Sequence, residues 1–384
     1  MKVKSIFLSM LAIAVLASCS KEEAAVPPGP EGEGKVIELT IGGTPLSVKS
    51  TTASDNTADQ TITDLTVFGV STTGAIVTKK YFVGTDVTAG AGQAKSVNFE
   101  TKTTTTSLYA IANIGSDLTG GDLNVSTLAD LKTKTASLLK TSGSDKVPSQ
   151  TQGNVLMSGM TSTITLTSGT SYTADITLGF ISTKLILAQL KRGAGSQGAY
   201  GTDFTIEGAI LNNVQTSAHY VATNGSYIPT TLTWATGLTG SSITDKVADF
   251  NNTITIGTGQ STDFDANKVV DLNYHWYVFE NNNDNQPTTL LLHYKWKPKS
   301  NDATMKDMYF PVTLKAGQGF EGKLEPGKAY SITMTLSGDF RTETNGGGSG
   351  GGGTEDPDKP VTNGSITVTV TPTAWTTATV DKEF

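Results

Sequence analysis

The chain has 384 residues, a formal net charge of −7 and only 16% charged residues. Arginine occurs only at Arg192 and Arg341, and this acidic, arginine-poor balance argues against a nucleic-acid partner. Cys19 is the single cysteine, so any exported domain must be stable without an internal disulfide.

At the amino terminus, Lys2 and Lys4 precede an apolar run from Ile6 to Leu16. The run is too short to span a bilayer as a permanent helix and reads as a removed signal. It ends in Leu16-Ala17-Ser18-Cys19, small residues before a cysteine, the pattern read by lipoprotein signal peptidase. Cys19 is therefore the expected lipidation site, and no apolar stretch after residue 18 is long enough for a transmembrane helix. Lys21 to Lys35 is rich in Pro, Gly and Glu and reads as a tether.

A strand is expected at Val36–Ile41, with Ile37, Leu39 and Ile41 on one face and Val36, Glu38 and Thr40 on the other. A loop over residues 44–60 holds Lys49. Further strands are expected around Thr63–Val70, Ser96–Glu100, Ser107–Ile114, Val155–Ser158, Ser162–Thr167 and Tyr172–Leu178. Between them Thr127 can cap a helix with Asp130 three residues on, and Leu128, Leu131, Leu138 and Leu139 give it an apolar stripe. A second domain starts near Gly179, with strands at Thr183–Gln189, Asp203–Asn212, His275–Glu280, Thr289–Trp296, Tyr309–Leu314 and Ala329–Ser337. Many short strands, turn signals and one helix describe β-sandwiches.

Gly346 to Gly353 is almost pure glycine, and with the following Asp356 to Pro360 it makes a linker of about 15 residues with a reach of roughly 20 Å. Beyond it, Ile366, Val368 and Val370 alternate with threonines, Pro372 interrupts the ladder, and Trp375 to Val380 forms a second strand-like piece. An isolated strand has no partner for its backbone groups. The tail therefore needs an open sheet edge, where each buried aliphatic side chain supplies about 1.5–3 kcal/mol. Either it folds back onto its own domain or it completes another molecule; the pattern alone leaves both open.

Other motifs are weak. Gly29 to Lys35 fits half of a phosphate loop but has Val36 in place of Ser or Thr and precedes a strand. Asp263 to Asn267 starts like a calcium loop but lacks its central Gly and closing Glu. His219, His275 and His293 have no metal-ligand spacing, and Trp234, Trp276 and Trp296 read as core aromatics rather than a sugar-binding face. No catalytic constellation, cofactor site or metal site is assigned, and no enzyme is expected.

Several segments, in shared order, resemble the FimA-like fimbrillins, the shaft pilins of the type V pili of Bacteroidia. They are the lipobox, with Ser20-Lys21-Glu22-Glu23 similar to a Bacteroidota surface-export signal, then Val36–Ile41, Leu65-Thr66-Val67-Phe68 and Tyr109 to Gly115 before the capped helix. Val155-Leu156-Met157-Ser158-Gly159, Trp276 to Asn281, Tyr309-Phe310-Pro311-Val312, Tyr330 to Met334 and Pro357-Asp358-Lys359-Pro360…Trp375…Phe384 continue it. The resemblance implies a mainly β chain of two tandem transthyretin-like β-sandwich domains with one short helix and a C-terminal donor-strand extension. Its expected divisions are a signal peptide (1–18), a propeptide with tether and first strand (19–49), two sandwiches (50–178 and 179–342), a linker (343–361) and a donor strand (362–384).

The mechanism implied is that a trypsin-like surface protease cuts the loop after the first strand of the lipidated precursor. Loss of Ile37, Leu39 and Ile41 opens a groove, which Ile366, Val368, Val370 and Trp375 of a neighbouring copy fill. Here the cut would fall between Lys49 and Ser50, where familiar members carry Arg; Lys35 is a rival that would leave the first strand attached. The implied partners are other copies of the chain in a homopolymer, accessory tip and anchor pilins, the protease, and the membrane only through Cys19 before maturation. The alternatives are a lipid-anchored anchor subunit, or a tip adhesin or glycan-binding surface lipoprotein of the same fold.

Overall fold

The computed structural model describes residues 34–42, 58–87, 95–168, 171–192, 204–254, 269–296, 304, 306–314, 324–336 and 366–374. The first half begins with β1 (Gly34–Gly42), β2 (Asp64–Ser71), β3 (Ile76–Val83), β4 (Lys95–Lys102) and β5 (Thr105–Ala112). Helix α1 (Leu128–Thr133) follows, then the short strands β6 (Thr135–Ser137), β7 (Leu139–Ser142) and β8 (Asp145–Pro148). The half closes with β9 (Met157–Thr161), β10 (Thr165–Ser168), β11 (Ser171–Thr177) and β12 (Gly179–Phe180). One sheet has the order β10-β11-β1-β4 and the other β12-β9-β5-β2-β3. Ile37, Leu39, Val97, Phe99 and Ile176 from the first meet Leu65, Val67, Leu108, Ala110 and Met157 from the second in one buried cluster. The period of two along each strand produces this, since alternate side chains point to one face.

The second half is built alike from β13 (Ser182–Arg192), β14 (Phe204–Asn212), β15 (Val214–Gln215), β16 (Ser217–His219), β17 (Trp234–Thr236) and β18 (Asp245–Lys246). It continues with β19 (Asn251–Thr253), β20 (Val269–Phe279), β21 (Thr289–Trp296), β22 (Lys306–Thr313), β23 (Lys328–Leu336) and β24 (Ile366–Ala374). Its main sheets have the orders β20-β13-β23-β24 and β19-β14-β21-β22. Leu185, Leu187, Trp276, Val278, Ile332 and Met334 of the first are buried in one cluster with Ile206, Leu211, Leu290, Leu292 and Phe310 of the second. Among the described residues the chain is thus mainly β, in two tandem sandwiches, with α1 a short helix between strands of the first. Each sandwich places its first strand inside a sheet, parallel to a late strand: β1 beside β11, and β13 beside β23.

Three details depart from the sequence expectation. Helix α1 is capped as expected, Thr127 Oγ1 accepting from the Asp130 amide at 3.1 Å, but it ends at Thr133. Leu138 and Leu139 are buried beyond it rather than on its stripe, because Thr135–Ser137 pairs with Ser217–His219 of the second sandwich. Strand β3 is absent from the expected elements; Lys79 and Lys80 break its alternation, and pairing with β2 through the Ser71–Ala75 turn makes it a strand. Finally, β24 runs through Pro372, opposite Tyr330, instead of breaking there. An edge strand tolerates proline where the missing N–H would face away from its one neighbour.

The sandwiches share a packed joint. Tyr277 and Ala329 of the second belong to the core cluster of the first, and Phe68, Val70, Tyr109 and Ile111 of the first belong to that of the second. Close packing extends to the backbone. A Cβ on Gly159 of β9 would lie 2.1 Å from the Thr177 carbonyl oxygen of β11. Gly159→Ala is therefore expected to lower stability by about 1–3 kcal/mol, read as a fall of several degrees in the thermal midpoint by circular dichroism.

Candidate functional site

Strand β1 is an interior strand of its sheet. Its backbone pairs with β11 in parallel from Val36↔Ser171 to Gly42↔Thr177, and with β4 antiparallel from Gly34↔Lys102 to Ile41↔Lys95. Ile37 and Leu39 are fully buried, Val36 is 39% exposed and Glu38 is exposed, as the alternation expects. Ile37 sits between Phe99 and Tyr172, and Leu39 between Val97 and Ala174. Ile41 extends both ladders, opposite Ile176 and Lys95. Burial of Ile37 and Leu39 contributes about 1.5–3 kcal/mol each. Removing β1 would leave an apolar slot flanked by two rows of unpaired backbone groups.

The polar end of this slot is held by Lys35, which is only 6% exposed. Its Nζ donates to the Thr105 carbonyl at 3.2 Å and lies 4.0 Å from the centroid of the Tyr172 ring. Burial pushes its ammonium down from the ordinary lysine pKa. A trypsin-like enzyme must bind an extended, accessible segment with the basic side chain free, and β1 is engaged on both edges. The geometry disfavours Lys35 as a native cleavage site. Cys19, Lys49, Ser50 and Trp375 lie outside the described residues.

The tail strand β24 carries Ile366, Val368 and Val370. It pairs antiparallel with β23 from Leu336↔Ile366 to Lys328↔Ala374 and, among the described residues, has no partner on its other side. Val370 stands opposite Ile332 and Val368 opposite Met334, both of which are fully buried. Of these two strands, β1 is paired on both edges and β24, among the described residues, on one. The structure does not bring them together; each lies in its own sandwich.

Other candidates have structural surroundings. His219 Nδ1 is 3.4 Å from the Lys134 carbonyl, His275 meets Tyr277 edge to face, and His293 contacts Asp307 at 2.9 Å while stacking on Tyr309. Trp276 is buried and donates to the Asp249 carbonyl at 3.1 Å, and Trp234 is half-buried in a small sheet. Among the described residues no three His, Cys, Asp or Glu side chains group as a metal site. A polar cluster unseen in the sequence does occur at the joint. Asp59 Oδ2 accepts from Lys184 Nζ at 2.8 Å, and Asp59 Oδ1 accepts from the Tyr277 hydroxyl at 2.5 Å. The available signal was Lys184, a lysine directly before the apolar run Leu185–Ala188 of β13. If Lys35 is sealed as described, trypsin acting on the folded full chain leaves the Lys35–Val36 bond intact. Amino-terminal determination is expected to find Val36 only after urea unfolding; finding it under native conditions would contradict this geometry.

The sequence profile described as the FimA-like major fimbrial subunit protein, C-terminal domain, matches residues 200–375, a span that includes β24. No curated protein sequence matches the chain. Among solved structures, a candidate cell adhesion protein from Bacteroides eggerthii DSM 20697 is 26% identical with a TM-score of 0.68, covering 91% of this chain and 98% of that one. A fimbrilin (FimA) from Porphyromonas gingivalis W83 is 15% identical with a TM-score of 0.58, covering 90% and 99%. A candidate cell adhesion protein from Parabacteroides distasonis ATCC 8503 is 16% identical with a TM-score of 0.59, covering 88% and 97%. The last two show a shared fold. Residues 200–375 thus match the FimA-like C-terminal domain, and in its two sandwiches and near full-length likeness to the Bacteroides protein the chain as a whole is similar to the FimA-like fimbrillins.

Proposed function

We propose that the chain is a structural subunit of a surface fimbria that polymerises by strand exchange. It is exported as a lipoprotein on Cys19 and cut between Lys49 and Ser50. The propeptide then leaves with β1, and the tail of a neighbouring copy fills the vacated slot. The observation that carries this reading is the contrast between an interior first strand and an edge-docked tail. On its own β23 the tail satisfies one row of backbone groups; in the slot it would satisfy two and cover the apolar floor left by Ile37 and Leu39. Exchange therefore runs from edge to interior once the resident strand is gone, and the loss of its covalent link makes the step effectively irreversible. Accessory tip and anchor pilins would start and end such a fibre, and adhesion would be a property of the assembly.

A second reading has its own support. In this monomer β1 and the tail are both seated, which suits a lipid-anchored subunit that keeps its first strand. A tip subunit has no need of a tail to donate, so residues 362–384 favour the shaft or anchor roles over that one.

Fimbriae sheared from cells are expected to contain this protein with Ser50 as its amino terminus; a polymer still beginning at Cys19 would exclude the shaft role. Deleting residues 362–384 should abolish polymers while the monomer keeps its β circular dichroism. Val368→Lys should also suppress assembly, because an unpaired ammonium would enter an apolar slot, and persistence of normal fibres would refute the donor assignment.

A further inference from the structure

The joint cluster places a buried charge nine residues after the proposed cut. Asp59 is 0% exposed and Lys184, on β13 of the second sandwich, is 2% exposed. Tyr277 of β20 donates to the other carboxylate oxygen, and the Lys184 ammonium lies 5.6 Å from the Tyr277 ring centroid. Both of these partners of the carboxylate belong to the second sandwich. The residues just after Asp59 are tied to the first: Asn113 Nδ2 donates to the Thr61 carbonyl at 2.8 Å, Asn113 Oδ1 accepts from the Thr63 amide at 2.8 Å, and Ile62 is buried in the first core. The segment 58–63 thus bridges both sandwiches, and it lies close behind the new amino terminus once β1 departs.

We propose that Asp59 is a positioning residue for strand exchange, latching the mature amino terminus to the joint so that the slot opens without the chain downstream of the cut unravelling. This rests on the reading that the chain is processed after Lys49. The latch acts through register rather than through large affinity. Two desolvated charges and a hydroxyl satisfy one another in one arrangement, and a slip of the segment leaves them unpaired in a dry joint. Before cleavage the segment is covalently continuous with β1 upstream and is held by Asn113 downstream. After cleavage that continuity is lost, and Asp59 is the outermost attachment in the described structure.

The test is amide exchange read by mass spectrometry on the full chain, before and after processing by a lysine-cutting surface protease, for wild type, Asp59→Asn, Lys184→Met and Tyr277→Phe. In the precursors, exchange at Asp59–Ile62 should change less than about threefold. In the processed forms, Asp59→Asn and Lys184→Met should speed it more than about tenfold, and Tyr277→Phe, which keeps the ion pair, by a smaller factor. Asp59→Glu should restore most of the protection. Unchanged exchange in the processed variants would overturn the latch, and equal loosening before and after processing would reduce the cluster to an ordinary buried pair. A variant precursor that fails to fold shows itself by loss of β circular dichroism, and Tyr277→Phe then carries the test. A wild-type chain that yields no Ser50 terminus defeats the processing reading and the latch together. Protected, processed monomers that do not polymerise defeat strand exchange alone.

Discussion

A strand inside a sheet must have both of its rows of backbone donors and acceptors paired, and β1 is such a strand. Its ladders to β11 and β4 join two parts of the first sandwich that do not pair with each other directly. Ile37 and Leu39 fill the floor between Phe99, Tyr172, Val97 and Ala174. The first sandwich is complete only while something occupies that position. An unpaired buried amide or carbonyl costs about as much as a lost hydrogen bond, so an empty slot would be a strong acceptor for any strand of matching pattern.

The second sandwich repeats the plan but holds its first strand differently. β13 lies between β20 and β23 as β1 lies between β4 and β11, yet it follows Phe180 after one residue, Ile181. It also carries Lys184, whose ammonium reaches back across the joint to Asp59. The two halves, alike in topology, thus differ in that the first strand of the second sandwich is pinned by the joint, and the proposed exchange concerns the first sandwich alone.

The tail has one partner in this monomer among the described residues, the edge of β23. Docking of the tail covers the edge of β23, and covering an edge is one way in which native sheets keep it from pairing with chance partners. On the proposed reading the same docking keeps subunits apart until processing creates a better site.

Much was legible from residues alone. Alternation placed Ile37 and Leu39 on one buried face and Val36 and Glu38 on the other, because the strand period is set by backbone geometry and needs no knowledge of the partner. The Thr127 cap was readable for the same reason: it is a local hydrogen bond. The extent of α1 was not, since Thr135–Ser137 becomes a strand only by pairing with Ser217–His219, some eighty residues away. Nor could the pattern of Ile366, Val368 and Val370 say which sheet the tail joins, because identical alternation suits any open edge, and the register with β23 is a tertiary fact. The sequence by itself determined which residues alternate, where turns and caps fall, and that a lone strand follows a glycine linker. Only the tertiary structure decided that β1 is interior and β24 an edge, that Lys35 is sealed, and that Asp59, Lys184 and Tyr277 meet. Those depend on which distant backbones and charges satisfy one another out of water, and spacing along the chain does not encode that.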